Sequence, residues 1–416
     1  MFRFIHAADI HLDSPLRGLE AHDDAPVDEI RGATRRAFDN LIEWALEEEV
    51  DFVLIAGDLY DGDWKDYNTG LFFVSRMGRL QKAGIKVFIV AGNHDAAATM
   101  TKSLPLPPNV SLFSATKTQS VLLEEQGAVI HGRSYSGRVV SDNLALDYPR
   151  AQSEYFNIGL LHTSLTGREG HEVYAPCSID ELKSKGYDYW ALGHVHQREI
   201  VARDPWIVFP GNIQGRHIRE EGAKGASLVT VEEGRVSEVT HHDLDVLRWA
   251  GMRVDLSDLT TISSLHDRVR TLMEEAKANC DNKTLALRLI LEGQSALHGE
   301  LHDGAEQLRQ EIRGIAASLE SIWLEKVKFA TSREAMPEEA SAENSPLSGL
   351  LQTIAHFAPG DEELTSLIPE LAALKSKLPP GILEPDSLLE KSSEKLPELL
   401  PEIKEMLIAK LTRHGT

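Results

Sequence analysis

The stretch Ile85-Lys86-Val87-Phe88-Ile89-Val90-Ala91-Gly92-Asn93-His94-Asp95 decides the fold of this chain. An apolar run that stops at a glycine and three polar residues is typical of a buried β-strand that delivers polar side chains to one edge of a sheet. Asparagine, histidine and aspartate can each bind or orient a metal ion, and the glycine allows a tight turn beneath them. Taken alone, the stretch also fits an ordinary polar turn, so the other strand ends must decide between the two interpretations.

Two earlier strands end in the same way. Residues 2–6 lead to Asp9-Ile10-His11, and the apolar run over 51–56 leads to Gly57-Asp58. Amphipathic patterns over 31–49 and 68–83 predict helices between these strands. Runs that are apolar on both faces predict a sheet covered by helices, and such a β-α-β-α-β series places its ligands at the carboxyl ends of the strands.

Two later strands present histidines. The run over 156–161 ends at His162, and the run over 187–192 ends in Gly193-His194-Val195-His196. Histidines separated by one residue can reach the same ion or two adjacent ions. Antiparallel strands predicted over 197–242 extend a second sheet packed on the first. The predicted fold class is therefore α/β, or α+β under some schemes, built from two sheets.

The polar residues at these strand ends suit a pair of divalent ions. Carboxylate, amide and neutral imidazole ligands together favour first-row ions such as Mn²⁺, Fe²⁺ or Zn²⁺. Two such ions about 3.5–4 Å apart can clamp the oxygens of a phosphoryl displacement, with a metal-bound hydroxide as the nucleophile. Asp58, in the middle of the set, is the expected bridging ligand. His94 is placed to give a proton to the leaving group, and Asp95 to orient its imidazole.

The loop over 210–220 is a candidate for substrate binding. It contains two glycines and the polar residues Asn212, Arg216 and Arg219. Guanidinium and amide groups on such a loop can hold phosphate beside the metals. A solvated loop without a ligand is the alternative interpretation, and the sequence does not separate the two.

Composition limits the class of protein. The chain has 416 residues, 42% of them hydrophobic, which allows a large core and more than one domain. Its net charge of −22 argues against a broad phosphate-binding surface, so any DNA contact needs a local basic cluster or a partner. The N-terminus enters a strand without a charged-then-apolar leader, and no apolar stretch is long enough to cross a bilayer. We therefore expect a cytoplasmic protein.

Cysteine usage agrees with that expectation. Cys177 and Cys280 lie far apart in the sequence and form no CxxC pair. Neither a disulfide framework nor a zinc knuckle is indicated.

The motifs all fall within residues 1–249, which form the predicted catalytic domain. Residues 250–332 predict a small α+β domain, whose last helix is expected over 301–324. Residues 333–346 are rich in Glu, Ala, Ser and Pro and predict a linker. Residues 347–416 predict a helical tail that prolines interrupt. Its apolar face either packs on the domain or binds a partner.

The ordered motifs DxH, GD, GNHD, a strand-terminal His and GHxH resemble the signature of the calcineurin-like metallophosphoesterases. Two stretches are similar to the bacterial SbcD-type DNA exonucleases, and in particular to their YhaO-type branch. They are His6-Ala7-Ala8-Asp9-Ile10-His11-Leu12-Asp13-Ser14-Pro15 and Phe209-Pro210-Gly211-Asn212-Ile213-Gln214-Gly215-Arg216-His217-Ile218-Arg219-Glu220. Asp13-Ser14 departs from the SbcD-type pattern, where glycine is common. The resemblance covers residues 1–245 well and the rest loosely.

The resemblance implies a fold, a site and partners. The implied fold is a two-sheet β-sandwich flanked by helices, with residues 250–332 as a cap domain that helps to position DNA. His94 is the implied catalytic imidazole. The implied partners are DNA, an SMC-like ATPase subunit and a second copy of the chain. The implied ligands are Asp9, His11, Asp58 and His196 for the first metal, and Asp58, Asn93, His162 and His194 for the second.

Three functions remain open on the sequence alone. The leading one is a Mn²⁺-dependent phosphodiesterase that cleaves DNA as an exonuclease in repair. The second is the same chemistry on a small phosphoester or a phosphoprotein, which the acidic charge favours and the extra domain disfavours. The third is a non-catalytic scaffold that binds a partner, which the complete set of ligands disfavours.

Overall fold

The computed structural model describes residues 1–14, 32–62, 67–96, 105–165, 174–281, 283–333 and 353. The strands are β1 Phe2–Ala7, β2 Phe52–Ala56, β3 Lys86–Val90, β4 Val110–Leu112, β5 Gln119–Leu123, β6 Ala128–Gly132, β7 Phe156–His162, β8 Tyr189–Gly193, β9 Glu199–Arg203, β10 Trp206–Phe209, β11 Gly225–Glu232, β12 Arg235–Asp243, β13 Leu247–Asp255, β14 Thr284–Gln294 and β15 Ile322–Ser332. The helices are α1 Ala33–Glu47, α2 Asn68–Lys82, α3 Asn93–Ala96, α4 Ile179–Ser184, α5 Ile262–Ala278, α6 His298–Asp303 and α7 Ala305–Ser318, and a 3₁₀-helix spans Leu144–Asp147.

The first sheet has six strands in the order β12-β11-β1-β2-β3-β4. Strand β1 is parallel to β2, β2 to β3 and β3 to β4, whereas β11 is antiparallel to β1. The parallel pairing of β1, β2 and β3 follows from helices α1 and α2, which return the chain to the same end of the sheet before each new strand. The carboxyl ends of these three strands therefore meet.

The second sheet has six strands in the order β5-β6-β7-β8-β10-β9. Its central strands β6, β7, β8 and β10 are parallel, and antiparallel strands lie at both margins. As in the first sheet, the parallel centre brings the carboxyl ends of β7 and β8 together.

The two sheets pack face to face around a buried aromatic core. The rings of Phe4 and Phe52 stack with centroids 5.0 Å apart, and Tyr189 of the second sheet meets Phe4 edge to face at 5.3 Å. Burial of each such side chain stabilises the fold by about 1.5–3 kcal/mol. Phe38 of α1 and Phe73 of α2 cover the outer face of the first sheet. The predicted pair of sheets flanked by helices is confirmed, but β11 and β12, which were expected to extend the second sheet, belong to the first, because β11 pairs with β1.

The chain forms two compact units. The first comprises Met1–Met252, Leu272–Leu289 and Ala316–Lys326, and it contains both six-stranded sheets. The second comprises Arg253–Thr271, Ile290–Ile315 and the described residues from Val327 onward. A further sheet has the strand order β13-β14-β15.

The predicted helix over 301–324 is wrong at its C-terminal end. Helix α7 stops at Ser318, and Ile322–Ser332 is strand β15. In this strand Val327 and Thr331 are buried while Lys326 and Lys328 are exposed. This alternation has the period of two that a strand requires, and it determines the local structure.

Several predictions fall beyond the part of the chain that the structure describes. The predicted linker over 333–346 and tail over 347–416 lie outside it, apart from Arg333 and Thr353. The proposed domain limits stay predictions. Within the described ranges, we find no helix whose length and apolar character would allow it to cross a membrane.

Candidate metal centre

The turns that follow β1 and β2 are joined directly, which brings the first polar residues together. The backbone N–H of Asp9 donates to the carbonyl of Gly57 over 3.1 Å, and that of His11 donates to the carbonyl of Asp58 over 2.9 Å. The DxH and GD motifs therefore run side by side at the end of the first sheet.

Glycines allow the turns of the other motifs to approach the end of β2. A Cβ on Gly92 would lie 2.3 Å from Oδ1 of Asp58, and a Cβ on Gly193 would lie 1.9 Å from the carbonyl oxygen of Ala56. No larger residue fits at either position without movement of the backbone. The glycines of GNHD and GHxH thus permit both motifs to reach the same place.

Several of the converging residues have unusual backbone angles. Asp9, His11, Asp58 and His194 have φ values of +50°, +48°, +50° and +102°. Non-glycine residues rarely adopt positive φ, at a cost of about 1–3 kcal/mol each, and such residues cluster at functional sites. The fold holds these side chains in place at the expense of local stability.

One group of donor atoms joins the first and last motifs. The Nε2 atoms of His11 and His196 face each other at 3.3 Å. Nε2 of His196 lies 3.8 Å from Oδ1 of Asp9, and Nε2 of His11 lies 3.8 Å from Oδ2 of Asp58. Asp9, His11 and His196 can therefore offer ligand atoms to one ion.

A second group lies around His162. Its Nε2 is 3.1 Å from Oδ1 of Asn93 and 3.5 Å from Oδ2 of Asp58. Asp9, Asp58 and His162 have ligand atoms close enough to share an ion, and so do His11, Asp58 and His94. Asp58 lies in both sets, which is the position that a bridging carboxylate needs.

His194 lies beside these groups. Its backbone N–H donates to both carboxylate oxygens of Asp9, at 3.1 and 3.0 Å. Its ring packs edge-on against His162, with centroids 5.2 Å apart. The structure therefore brings all the predicted metal ligands together, while their assignment to individual ions stays a prediction.

Hydrogen bonds fix the orientation of two of the imidazoles. Nδ1 of His162 donates to the carbonyl of Ala56 over 2.9 Å, and Nδ1 of His196 lies 2.7 Å from Oε1 of Glu220. With Nδ1 protonated in each neutral ring, Nε2 keeps its lone pair. Nε2 of His162 faces the amide oxygen of Asn93 and a carboxylate oxygen of Asp58, and Nε2 of His196 faces Nε2 of His11 and a carboxylate oxygen of Asp9.

The donor set fits divalent cations. Burial raises the pKa of Asp9 well above its usual range, and the neighbouring Asp58 carboxylate raises it further; burial also raises the pKa of Asp58. Burial lowers the pKa of His11 and His196, and that of His162 to about 3, so the rings are neutral. A cation relieves the repulsion between the two carboxylates and accepts the imidazole lone pairs.

His94 differs from the ligands in its exposure and its partner. More than a third of its side chain is exposed, at 36%, and its Nδ1 lies 2.7 Å from Oδ1 of Asp61. Although burial opposes the effect, the hydrogen bond with Asp61 and the carboxylate of Asp58 raise the pKa of His94. His94 is thus an oriented imidazole that keeps its proton more readily than a free one.

The predicted role of Asp95 as the partner of His94 needs correction. Oδ1 of Asp95 accepts a hydrogen bond from the backbone N–H of Tyr60 at 2.8 Å, and Oδ2 accepts from Leu59 at 3.2 Å and Gly92 at 3.0 Å. Asp95 therefore ties together the turns that follow β2 and β3, and Asp61 orients the imidazole.

The predicted substrate-binding loop divides into buried and exposed residues. Asn212 is fully buried, and its side chain donates a hydrogen bond to Oε2 of Glu220 over 2.9 Å. This contact stabilises the loop. Arg216 donates through Nη2 to Oε1 of Glu220 over 3.3 Å and approaches Asp61 to 3.8 Å. Arg219 is exposed and, like Arg216, lines the cleft described below.

Asp61 and Glu220 are the site residues that sequence reasoning missed. Each carboxylate holds the Nδ1 of a functional histidine, His94 and His196 respectively. Asp61 lies three residues after Asp58, in a GDxxD pattern in the turn that follows β2. A search restricted to the residues directly at the strand ends does not find it. Glu220 was inside the quoted loop, but nothing in the sequence alone pairs it with His196.

An open cleft of about 860 Å³ lies at these residues. Asp58, Asn93, His94, His194 and His196 line it. The other lining residues are Tyr174, Gln197, Arg198, Arg216, His217, Arg219, Glu220, Glu221, Ala223 and Lys224. A substrate can therefore reach the donor atoms from solvent.

Comparisons with known proteins show which family the chain is similar to. The family model for the calcineurin-like phosphoesterases matches residues 2–198, and the model for the middle domain of metallophosphoesterase YhaO matches residues 249–332. The metallophosphoesterase YhaO of Bacillus subtilis (strain 168) is 35% identical over 318 residues, which cover 74% of this chain and 77% of that protein. The DNA double-strand break repair protein Mre11 of Sulfurisphaera tokodaii is 25% identical over 306 residues, covering 70% and 74%. Among solved structures, a dimetal phosphatase from Danio rerio matches 58% of this chain and 96% of its own at 11% identity, with a TM-score of 0.38.

Proposed function

Because this chain belongs to the calcineurin-like metallophosphoesterases and to their YhaO-type branch, we propose that it hydrolyses phosphodiester bonds in DNA, as an exonuclease in repair. The observation that carries the proposal is the buried set of carboxylate, amide and imidazole donors, whose atoms lie 3.1–3.8 Å apart at an open cleft. The similarity to a protein named for DNA double-strand break repair supports DNA as the substrate.

Two divalent ions complete the proposed site, and we propose Mn²⁺ as the metal. Bound there, the ions supply Lewis-acid polarisation of the phosphoryl group and a nucleophile at neutral pH. Asp58 would hold both ions, because its Oδ2 lies 3.8 Å from Nε2 of His11 and 3.5 Å from Nε2 of His162. Carboxylates mixed with imidazoles and an amide are compatible with Mn²⁺.

His94 supplies the proton for the leaving group. Asp61 holds its Nδ1 at 2.7 Å, which leaves Nε2 to donate to a substrate oxygen in the cleft. The same contact raises the pKa of His94, so the imidazole is protonated in a larger fraction of molecules near neutral pH.

The second candidate is hydrolysis of a small phosphoester. The net charge of −22 favours it, since a long DNA duplex is repelled by an acidic surface. Both candidates use the same metals and the same His94, and they differ in what else the cleft must bind.

The test is hydrolysis by the purified full-length protein with Mn²⁺, using linear duplex DNA and bis(4-nitrophenyl) phosphate in parallel. We expect both to be cleaved, with kcat reduced about 10²-fold or more in His94→Ala and close to wild type in the control His242→Gln, whose histidine is exposed outside the cleft. Cleavage of the small diester alone would favour the second candidate. Protein that binds Mn²⁺ and cleaves neither substrate would contradict both.

The compartment and the partners are also proposals. Cys177 and Cys280 are both free and buried, which suits a reducing compartment, and we propose the cytoplasm. An SMC-like ATPase subunit and a second copy of the chain are proposed as partners on the resemblance alone.

A further inference from the structure

One arginine in the cleft has no part in the function proposed above. Arg198 follows His196 by two residues, where the turn of the GHxH motif leads into β9. Its side chain is exposed and lines the cleft together with that of Arg219. The cleft thus holds the donor atoms for metals and an exposed cation presented by the same turn.

The neighbouring cations are already engaged by protein groups. Arg216 donates to Glu220 over 3.3 Å. Lys224 is buried, and its Nζ donates to the carbonyl of His196 over 3.3 Å. These two side chains donate to the Glu220 carboxylate and to the carbonyl of His196, and so they help to hold His196 in place.

Arg198 is different. Among the residues that the structure describes, no hydrogen bond or ion pair engages its guanidinium group. Burial raises the pKa of Tyr189 and lowers that of His241, and the positive charge of Arg198 acts on both groups in the direction of a lower pKa. In a chain with a net charge of −22, a cation without an acidic partner at this cleft is suited to an anionic ligand.

The backbone of Arg198 is held firmly beside the metal ligands. The N–H of Asn212 donates to the carbonyl of His196 over 3.2 Å. A Cβ on Gly211, which has a φ of +81°, would lie 2.9 Å from the backbone nitrogen of Arg198. This close packing fixes where the arginine side chain begins relative to His196.

We propose that Arg198 is a specificity residue that binds a second phosphate, next to the one that is hydrolysed. The site then prefers a single nucleic-acid strand over an ester that has only one phosphate. A cleft of about 860 Å³ can hold a ligand much larger than a single phosphate. This inference rests on the proposed function, because it assumes that the metal-binding end of the cleft holds the phosphate under attack.

The first test compares two chromogenic substrates that differ by one phosphate: thymidine 5′-(4-nitrophenyl phosphate) and the same ester with a 3′-phosphate. We expect the wild-type protein with Mn²⁺ to have a lower KM for the 3′-phosphorylated ester. In Arg198→Gln this preference should shrink about fivefold to tenfold, the value of a charge-assisted hydrogen bond to phosphate. The matched control is Arg235→Gln, which removes an exposed arginine at the start of β12.

The second test measures binding without turnover, so that it stands even if the proposed hydrolysis fails. Fluorescence anisotropy of a labelled single-stranded oligonucleotide, in EDTA and over a range of salt concentrations, reports the number of phosphates engaged. We expect Arg198→Gln to reduce the slope of log K against log salt by about 0.7, and Arg235→Gln to leave it unchanged.

These outcomes separate the two ideas. If the wild-type protein did not hydrolyse either ester and Arg198→Gln still showed the expected change in salt slope, the proposed function would be overturned and the second-phosphate site would stand. The role of Arg198 would be overturned if the wild-type protein and Arg198→Gln preferred the 3′-phosphorylated ester to the same degree. The same salt slope in both proteins would also overturn it.

Discussion

The two aspartates near His94 differ in what they contact. Asp61 approaches Nδ1 of His94 to 2.7 Å and also accepts a hydrogen bond from Oγ of Ser14 at 2.7 Å. Although burial would raise it, the imidazole rings of His11 and His94 beside the carboxylate hold the pKa of Asp61 well below its usual range. Asp95 instead accepts three backbone N–H groups. Asp61 is therefore a positioning residue, and Asp95 a structural one.

Asp61→Asn and Asp95→Asn should separate these roles. At saturating Mn²⁺ we expect Asp61→Asn to lower kcat about 10²-fold with an unfolding free energy close to wild type, because the amide orients His94 poorly. Asp95→Asn should instead lower the unfolding free energy by about 1–3 kcal/mol, because its NH₂ group would face backbone N–H donors. Kinetics on bis(4-nitrophenyl) phosphate and urea denaturation measure the two effects. Equal losses of stability in both variants would refute the division.

His6 lies behind the site and provides a clean test of pH dependence. It is fully buried; its Nε2 donates to the carbonyl of Leu192 over 3.1 Å, and its Nδ1 accepts from the hydroxyl of Tyr189 over 3.0 Å. Burial lowers the pKa of His6 to about 3. Below pH 6.5 the unfolded chain binds a proton that the folded protein does not, so stability falls as the pH falls from 6.5 towards 3.

We expect His6→Asn to flatten the acid limb of the stability curve. Between pH 7 and pH 5 the wild-type protein should lose about 2 kcal/mol of unfolding free energy through His6 alone, and the variant should not. Urea denaturation of metal-free protein at the two pH values measures the difference, in which contributions from the other histidines cancel. Parallel curves for the two proteins would show that His6 is not buried as a neutral ring.

The turns after the parallel strands hold the candidate ligands close together because their glycines allow neighbouring turns to come into contact. Gly92 leads into the short helix α3, which carries Asn93 and His94, and it passes so close to Asp58 that a methyl group has no space. The N–H of His94 donates to Oδ1 of Asp58 over 3.0 Å. Tight contact between the turns therefore sets the spacing between the expected bridging ligand and the imidazole that we propose as catalytic.

Gly92→Ala should weaken metal binding through this contact. Since the added Cβ would lie 2.3 Å from Oδ1 of Asp58, the carboxylate must move, and we expect Mn²⁺ affinity to fall about 10–100-fold. The control is Gly78→Ala in helix α2, where a Cβ meets nothing within 4 Å. That change should stabilise the helix by about 0.5–1 kcal/mol. Calorimetric titration with Mn²⁺ decides, and unchanged affinity in Gly92→Ala would contradict the steric argument.

Strand ends were predictable from the sequence, and contacts between loops were not. Apolar runs that stop at Asp58, Asn93 and His162 identify strands and candidate ligands together, because one pattern encodes both. Pairing of His196 with Glu220 depends on how a loop folds back, and no local pattern records it. The predicted helix over 301–324 includes the first three residues of β15, because the alternation of this strand begins only after the buried residues Ile322, Trp323 and Leu324.

The candidate metal ligands come from both large sheets. Asp9, His11, Asp58 and Asn93 follow strands of the first sheet, and His162, His194 and His196 belong to or follow strands of the second. Ions bound by these residues would link the two sheets at the ends of their parallel strands. Metal binding should therefore stabilise the first unit as well as supply chemistry.

Removal of the metal should lower stability by a predictable amount. At a Mn²⁺ concentration 100 times the dissociation constant of each site, we expect the unfolding free energy to exceed that in EDTA by about 2.7 kcal/mol for each ion, or about 5.4 kcal/mol for the two proposed ions. Asp58→Asn should lose most of this difference, because the Asp58 carboxylate lies 3.8 Å from Nε2 of His11 and 3.5 Å from Nε2 of His162. Urea denaturation with Mn²⁺ and with EDTA measures it. A full Mn²⁺ effect in Asp58→Asn would show that the ions bind elsewhere.

The spread of these ligands along the chain also matters while the protein is being made. Asp9 leaves the ribosome well before His196, which follows only after both sheets have most of their parallel strands. Because domains form as their residues emerge from the N-terminus, an incomplete nascent chain holds only the first-sheet half of the centre. The protein would thus be synthesised in an inactive form. Its hydrolytic activity would begin only when the GHxH turn has folded against the turns that carry the other candidate ligands.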